Sequence, residues 1–264
     1  MPLGDRLERR AVEALAGRRA ELERLEVFAL GHEPLVMHIQ GIPGIGKTHL
    51  LNALAATIGG KSVSVVRIDA RWCEPSPAAL CRAVFREIGA TESEDSAVVV
   101  TSLSDRARRT LLVLDSYESF RLLDSWLRQV FLPSLGDNVR TILSSREAPR
   151  PAWHIDPAWR GLFDSMLLET FSPEVALEYL TAQGVPEGSA RELNRVARGH
   201  PLALSLGSAL YFAGGQVQGG AATHHQVLSG GCRCGNHTGR TGRLLGPNSH
   251  RAATDGHAAA SPSR

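Results

Sequence analysis

Two hydrophobic periods alternate along this chain. Leu35-Val36-Met37-His38-Ile39-Gln40 is an apolar-rich run of strand length, and His49 to Ala56 is a helix-forming run that follows it across a Gly-rich turn. Ser62 to Asp69 is β-branched and reads as a second strand. Pro75-Ser76-Pro77 opens a helix to about Ile88, with Leu80, Val84, Phe85 and Ile88 on one face. Gly89 to Ser96 is acidic and polar, a loop. Thr110 to Leu114 and Val139 to Leu143 are further strand runs, and between them the spacing predicts one amphipathic helix from Ser119 to Leu132, stopped by Pro133 and Gly136. Leu162 to Leu168 is a candidate fifth strand. Strands apolar on both faces, alternating with helices, predict an α/β fold with three layers and a mainly parallel sheet.

The flanks differ from this middle. Asp5 to Leu30 repeats leucine and valine at near-helical spacing among Arg and Glu, with a break at Gly17-Arg18-Arg19 that marks a junction between two helices. After the sheet region, Ser172-Pro173-Glu174 has a cap, a proline and an acid in the right order to open a helix to about Gln183. Ser189-Ala190-Arg191-Glu192 reads as a capping box for a second helix ending at Gly199, and Pro201 opens a largely apolar third. The resulting division is 1–30 as an N-terminal helical segment, 31–170 as the α/β domain, 171–212 as a small helical lid subdomain and 213–264 as a low-complexity tail. That tail is rich in Gly, Ala, Ser, Thr and His, shows no sustained period, and lacks the apolar surface to offset chain entropy, so disorder is expected.

Composition narrows the class. Apolar residues make up 43% of the 264, ordinary for a globular protein, and no run approaches the roughly 20 apolar residues of a membrane helix. The N-terminus is charged rather than signal-like, which makes the cytoplasm the expected compartment. The net charge of +2 is unevenly placed: from Ala213 onward there are five arginines and one acid, a balance of +4, leaving −2 for everything before. The expected folded part therefore carries no basic excess that would suggest a nucleic-acid surface. Cys73 and Cys81, eight residues apart without a His or Cys partner nearby, read as buried thiols rather than metal ligands. Cys232-Arg233-Cys234 with His237 is too tightly spaced for a closed zinc site.

The chemistry begins at Gly41-Ile42-Pro43-Gly44-Ile45-Gly46-Lys47-Thr48, which fits G-x-x-x-x-G-K-[ST] between a strand and a helix. Its glycines let successive backbone N–H groups turn onto phosphate oxygens, and the helix running on through His49 aims its positive end at the same anion. Lys47 is placed for the β- and γ-phosphates and Thr48 for Mg²⁺. Leu111-Leu112-Val113-Leu114-Asp115 ends a strand in a carboxylate, either a second Mg²⁺ acid or the cap of the next helix. The residue after it is Ser116, so Glu118 is the nearest carboxylate for a general base, with a dipole-stabilised helix-start acid as the alternative. Arg146, after Ser144-Ser145, is either a γ-phosphate sensor or a solvated strand end.

In their order, the P-loop, Leu111 to Asp115, Ser144-Ser145-Arg146 and Gly199-His200-Pro201-Leu202 resemble the STAND-class, AAA+-related P-loop NTPases. The resemblance covers about residues 10 to 212. It implies that Pro201 contacts the nucleotide from the lid, and that Gly17-Arg18-Arg19-Ala20-Glu21-Leu22 is the lead-in segment whose Arg18 lies beside the adenine. It implies an ATP/ADP-driven regulatory switch with slow hydrolysis, Mg²⁺, and self-association or a protein partner. The acid expected directly after Asp115 is absent, and the tail stands where such proteins continue into a winged helix, as though the chain were a truncated or frame-shifted end of a longer regulator. The competing readings are a P-loop kinase, with Asp69 and Arg71 holding its substrate, and an origin-recognition-like DNA-loading ATPase.

Overall fold

A computed structural model describes residues 17–59, 63–90, 93–106 and 108–214. The helix expected before Gly17, the tail from residue 215 and its Cys232, Cys234 and His237 lie outside these described residues.

Five strands form one parallel sheet: β1 (Val36–Gln40), β2 (Val63–Asp69), β3 (Arg109–Asp115), β4 (Val139–Ser145) and β5 (Phe163–Leu167), in the order β2-β3-β4-β1-β5. The inner strands carry aliphatic residues on both faces because both faces are covered. Leu112, Leu114 and Leu143 enter one buried cluster with Leu80, Phe85 and Phe120. Leu111, Val113 and Ile142 enter the other with Leu25, Leu50 and Leu54. The helices that cover these faces are α1 (Arg19–Leu30), α2 (Lys47–Ile58), α3 (Pro77–Ile88) and α4 (Ser96–Ser104). Register then sets the function: Gln40 pairs with Ser145, and Asp69 with Asp115. The carboxyl ends of β1, β3 and β4 therefore share one rim, where ligands of an open α/β sheet bind.

Helix α1 is tied down at its C-terminal end by two arginines that come from strands. Arg140 donates to the carbonyls of Gly31 (2.9 Å) and His32 (2.6 Å), and Arg109 to that of Gly31 (2.6 Å). Guanidinium groups at the negative end of a helix dipole satisfy carbonyls the helix itself leaves open.

Two expectations need correcting, and one helix is additional. The single helix over 119–132 is broken into a 3-10 turn (Tyr117–Phe120), α5 (Asp124–Trp126), a π turn (Leu127–Phe131) and a further 3-10 turn (Leu132–Ser134). Its buried residues follow the break: Tyr117, Phe120 and Leu123 recur every third position, as 3-10 spacing favours, and from Asp124 onward Leu127, Arg128, Phe131 and Leu132 are buried at wider, helical spacing. Buried Asp124 pins the bend by accepting from the Tyr117 hydroxyl (2.9 Å) and the Trp153 indole (3.0 Å). In the lid, the second helix begins at Glu187 behind Pro186, two residues before the capping box, so Ser189 lies inside its first turn. Helix α4, unassigned from the valine-rich sequence, is opened by Asp95, whose carboxylate accepts from Ala97 N (2.8 Å). Cys81 is buried and Cys73 half-buried, and burial pushes both thiols up.

After β4 come α6 (Ala152–Ile155) and a 3-10 turn (Pro157–Trp159), and after β5 the three lid helices α7 (Pro173–Ala182), α8 (Glu187–Ala197) and α9 (Pro201–Phe212). They close over Ala176, Leu180, Val185, Ala190, Leu193 and Leu204. Among the described residues no helix is long and apolar enough to cross a membrane.

Candidate functional site

Strand β1 ends at Gln40, and Gly41 N donates to Ser145 O (3.2 Å), so the Gly-rich loop leaves the sheet beside the end of β4. Helix α2 starts at Lys47, capped by Gly46 in the left-handed region at φ 104. A side chain there would strain the backbone, and glycine leaves the space over the helix start open: nothing lies within 4 Å of where a Cβ would sit. Lys47 Nζ donates to the carbonyl of Gly41 (2.6 Å), and burial holds its ammonium below the usual lysine range.

Asp115, at the end of β3, is buried, with its carboxylate facing Thr48: Thr48 Oγ1 donates to Asp115 Oδ2 at 3.3 Å. The cap of the following turn is Ser116, at φ 57, whose N–H is held by Asp115 Oδ1 (2.9 Å). The same Oδ2 accepts from Arg67 Nη2 (2.6 Å), and Arg67 also bonds Asn52 on α2. Arg67 thus braces the carboxylate from β2. Nothing in the sequence marked it except a charge inside the β-branched run Val63 to Ile68.

Glu118 and Arg146 meet across the rim. Arg146 Nε donates to Glu118 Oε1 (2.6 Å) and its backbone N–H to Oε2 (3.2 Å). Burial works to raise the Glu118 pKa, but its own backbone N–H and Arg146 outweigh it and hold the carboxyl below its ordinary value. Asp69 and Arg71 are bound to each other, Arg71 Nη2 to Asp69 Oδ2 at 2.6 Å, and that bond lowers the Asp69 pKa.

Above the P-loop the lid forms the second wall of a cleft of about 330 Å³. Gly44 to His49 line one side, with Pro201, Leu202 and Ser205 of α9 and Tyr179 of α7 opposite. Leu202 N donates to Gly44 O (3.3 Å), and the His200 ring Nε2 lies 2.9 Å from Pro43 O. Arg18 closes the end. It is buried at the start of α1, ion-paired to Glu21 (2.7 Å), donating to Ile45 O (3.3 Å) and to Glu169 O, and stacked over the Phe171 ring at 5.0 Å. Arg18, Gly44 to His49 and Pro201 therefore share one cleft. Gly41, Ile42 and Pro43 form the limb of the loop outside its lining, and Asp115, Glu118 and Arg146 sit along the adjoining rim. Phe171, Tyr179, Leu202 and Ser205 were not foreseen, because their approach to the P-loop depends on how the lid folds back.

The open amide cradle over Gly46 and the neighbouring oxygens of the Thr48 hydroxyl and the Asp115 carboxylate fit a phosphate group and a hard divalent cation. Among the described residues no group of three or more His, Cys, Asp or Glu is gathered as a metal site.

Comparison with known proteins agrees with this geometry. The NACHT domain profile matches residues 35–182, more than half of the chain. No curated protein sequence matches. Among solved structures, Cdc6p from Pyrobaculum aerophilum is similar at a TM-score of 0.56 and 19% identity, over 76% of this chain and 64% of that one. The Drosophila ORC bound to DNA gives 0.57 and 17%, over 80% and 62%, and the Aeropyrum pernix ORC1 protein in complex with DNA 0.54 and 19%, over 75% and 61%. At these identities the likeness concerns the fold, and this chain spans less than two thirds of each of those chains. The match spans both the loop and the rim residues, and the chain belongs to the NACHT family, within the STAND-class P-loop NTPases that its order of motifs resembles.

Proposed function

We propose that this chain is an ATP-driven switch in which the nucleotide is held between the sheet rim and the lid. The observation that carries the reading is the cleft itself: one wall is the P-loop, and the other is a lid hydrogen-bonded to that loop through Leu202 and His200. The amides of residues 44–48 and the Lys47 ammonium would take the β- and γ-phosphates. Thr48 and Asp115 would hold a magnesium ion, which when bound supplies positive charge against the phosphate oxygens. Arg67 keeps Asp115 oriented toward Thr48. Pro201, Tyr179 and Arg18 line the same cleft and would border the base and sugar.

Once the bond between them opens, Glu118 would take a proton from an attacking water and Arg146 would reach the γ-phosphate. Glu118 would have to leave Arg146 before it could act as a base, which supports slow turnover. Slow turnover suits a regulator that stays long in its ATP form, acting through a partner or a second copy, in the cytoplasm. A kinase reading loses ground because Asp69 and Arg71 bind each other instead of presenting to a substrate. The DNA-loading reading draws on the fold of the Cdc6p and ORC neighbours alone, and nothing in the charge distribution adds to it.

Thermal denaturation with ATP and Mg²⁺ tests this. The unmodified chain is expected to gain stability and Lys47→Ala to gain none, while Glu118→Gln keeps the gain and loses phosphate release. No gain in the unmodified chain, or an equal gain in Lys47→Ala, refutes it.

A further inference from the structure

A second cavity lies at the opposite end of the sheet from the P-loop. It holds about 500 Å³, within the roughly 300–1,000 Å³ of sites that enclose small molecules. Val36 of β1 and Val139 and Thr141 of β4 line its sheet side. Leu132 and Leu135, beyond the π turn, and the Trp159 indole add apolar surface. The π turn contributes Arg128. Turns of this kind are rare and recur at functional sites.

The polar groups set the chemistry. Arg128 is only 8% exposed, and its Nη1 donates to Asp156 Oδ2 (2.7 Å). Asp156 is held in turn by Ala158 N, which donates to Oδ1 (3.1 Å). The Arg128 Nε–H is buried without a partner. A buried donor left unpaired is costly, so an acceptor brought to it is favoured. Formal charge adds a limit: Asp137 and Asp156 line the cavity against Arg128 alone, which disfavours an anion.

We propose that this cavity is a binding site for a small, uncharged aromatic molecule bearing a carbonyl acceptor, its ring packed among Trp159 and the leucines and its oxygen accepting from Arg128 Nε. The site is separate from the nucleotide cleft but shares two strands with it. Val36 pairs with Thr141 at the cavity, and Gln40 with Ser145 at the rim.

The full chain can be titrated with Prodan, an uncharged naphthalene carrying a propionyl carbonyl and an environment-sensitive fluorescence. One binding site is expected, with blue-shifted emission sensitised by tryptophan excitation and unchanged by saturating ADP. Ala158→Phe, at the exposed 3-10 turn beside the opening, is expected to abolish it. Arg128→Lys keeps a cation for Asp156 but removes the Nε–H, and is expected to weaken binding by about tenfold. Anilinonaphthalene sulfonate, of similar size but anionic, is expected to bind by about tenfold less. In the unmodified chain, amide shift changes on Prodan addition should centre on Val36, Thr141 and Trp159, a readout that holds if a variant fails to fold. No Prodan binding, displacement by ADP, shifts centred on the P-loop, or unchanged affinity in both folded variants overturns the proposal.

Discussion

Every residue of β4 is buried, from Val139 to Ser145, whereas α9 of the lid buries only Leu204 and Ser208. The sheet is clamped on both faces by aliphatic clusters. The lid closes over a short list of small and medium side chains and leaves Leu206, Leu210 and Phe212 more than half exposed on its outside. Its hold on the sheet domain is a set of individual contacts: Leu202 N to Gly44 O, the His200 ring to Pro43 O, and Arg18, itself bonded to Ile45 O, over the Phe171 ring. Local opening free energies follow buried apolar contact, so the lid should open at far lower cost than the sheet unfolds. A switch needs this pairing: a platform that fixes phosphate geometry and a cover that a few bonds can gain or lose.

The difference can be broken first from the sheet side. Leu114→Ala, at a fully buried β3 position, should cost about 4 kcal/mol and lower the urea midpoint of the whole domain. Leu180→Ala, equally buried but in the lid, should cost about 3 kcal/mol, and amide exchange should rise in α7 to α9 while the sheet amides stay protected. Equal loss of protection in both regions would mean that they form one cooperative unit.

Acid sharpens the same contrast. His38 lies in β1, 1% exposed, with Nδ1 unpartnered, and burial lowers its pKa from 6.5 to about 4. Below pH 6.5 the unfolded chain takes up a proton that the folded sheet refuses. Stability should therefore fall as pH drops from 6.5 to about 4, by about 3 kcal/mol in all, and level off beneath that. Replacing His38 with Leu should flatten that part of a pH titration of urea midpoints, while a slope unchanged by the substitution would place the acid sensitivity elsewhere.

A smaller effect is expected at the joint. Gly199 has φ 72, and a Cβ there would stand 2.1 Å from Phe171 O. Gly199→Ala should weaken lid closure by about 2 kcal/mol, read as faster exchange at Leu202 N–H with little change in global stability. Unchanged exchange at Leu202 would show that this joint does not hold the lid.

The sequence already showed the local parts of this site. Residues 41–48 are contiguous, and their chemistry follows from strand, turn and helix in that order. Asp115 and Arg146 were readable because a carboxylate or a guanidinium at the end of an aliphatic strand must lie at the carboxyl rim of a parallel sheet. What escaped was non-local. Arg67 looked like a polar strand position, and only the pairing of β2 with β3 turns it toward Asp115. Arg109 and Arg140 carried no signal in the sequence and are anchors for α1. Residues 119–132 were read with one helical period although their buried positions change spacing partway. Phe171 and Tyr179 reach the cleft only when the lid folds back, more than 120 residues after the P-loop.

The most direct test is amide hydrogen exchange of the lid in ATP with Mg²⁺ against ADP with Mg²⁺, both saturating. If the γ-phosphate fastens lid to rim, amides of α7 to α9, Leu202 above all, should exchange more slowly in ATP while the central strands remain unchanged. Equal lid exchange in the two nucleotides, with binding of both established, would contradict the switch.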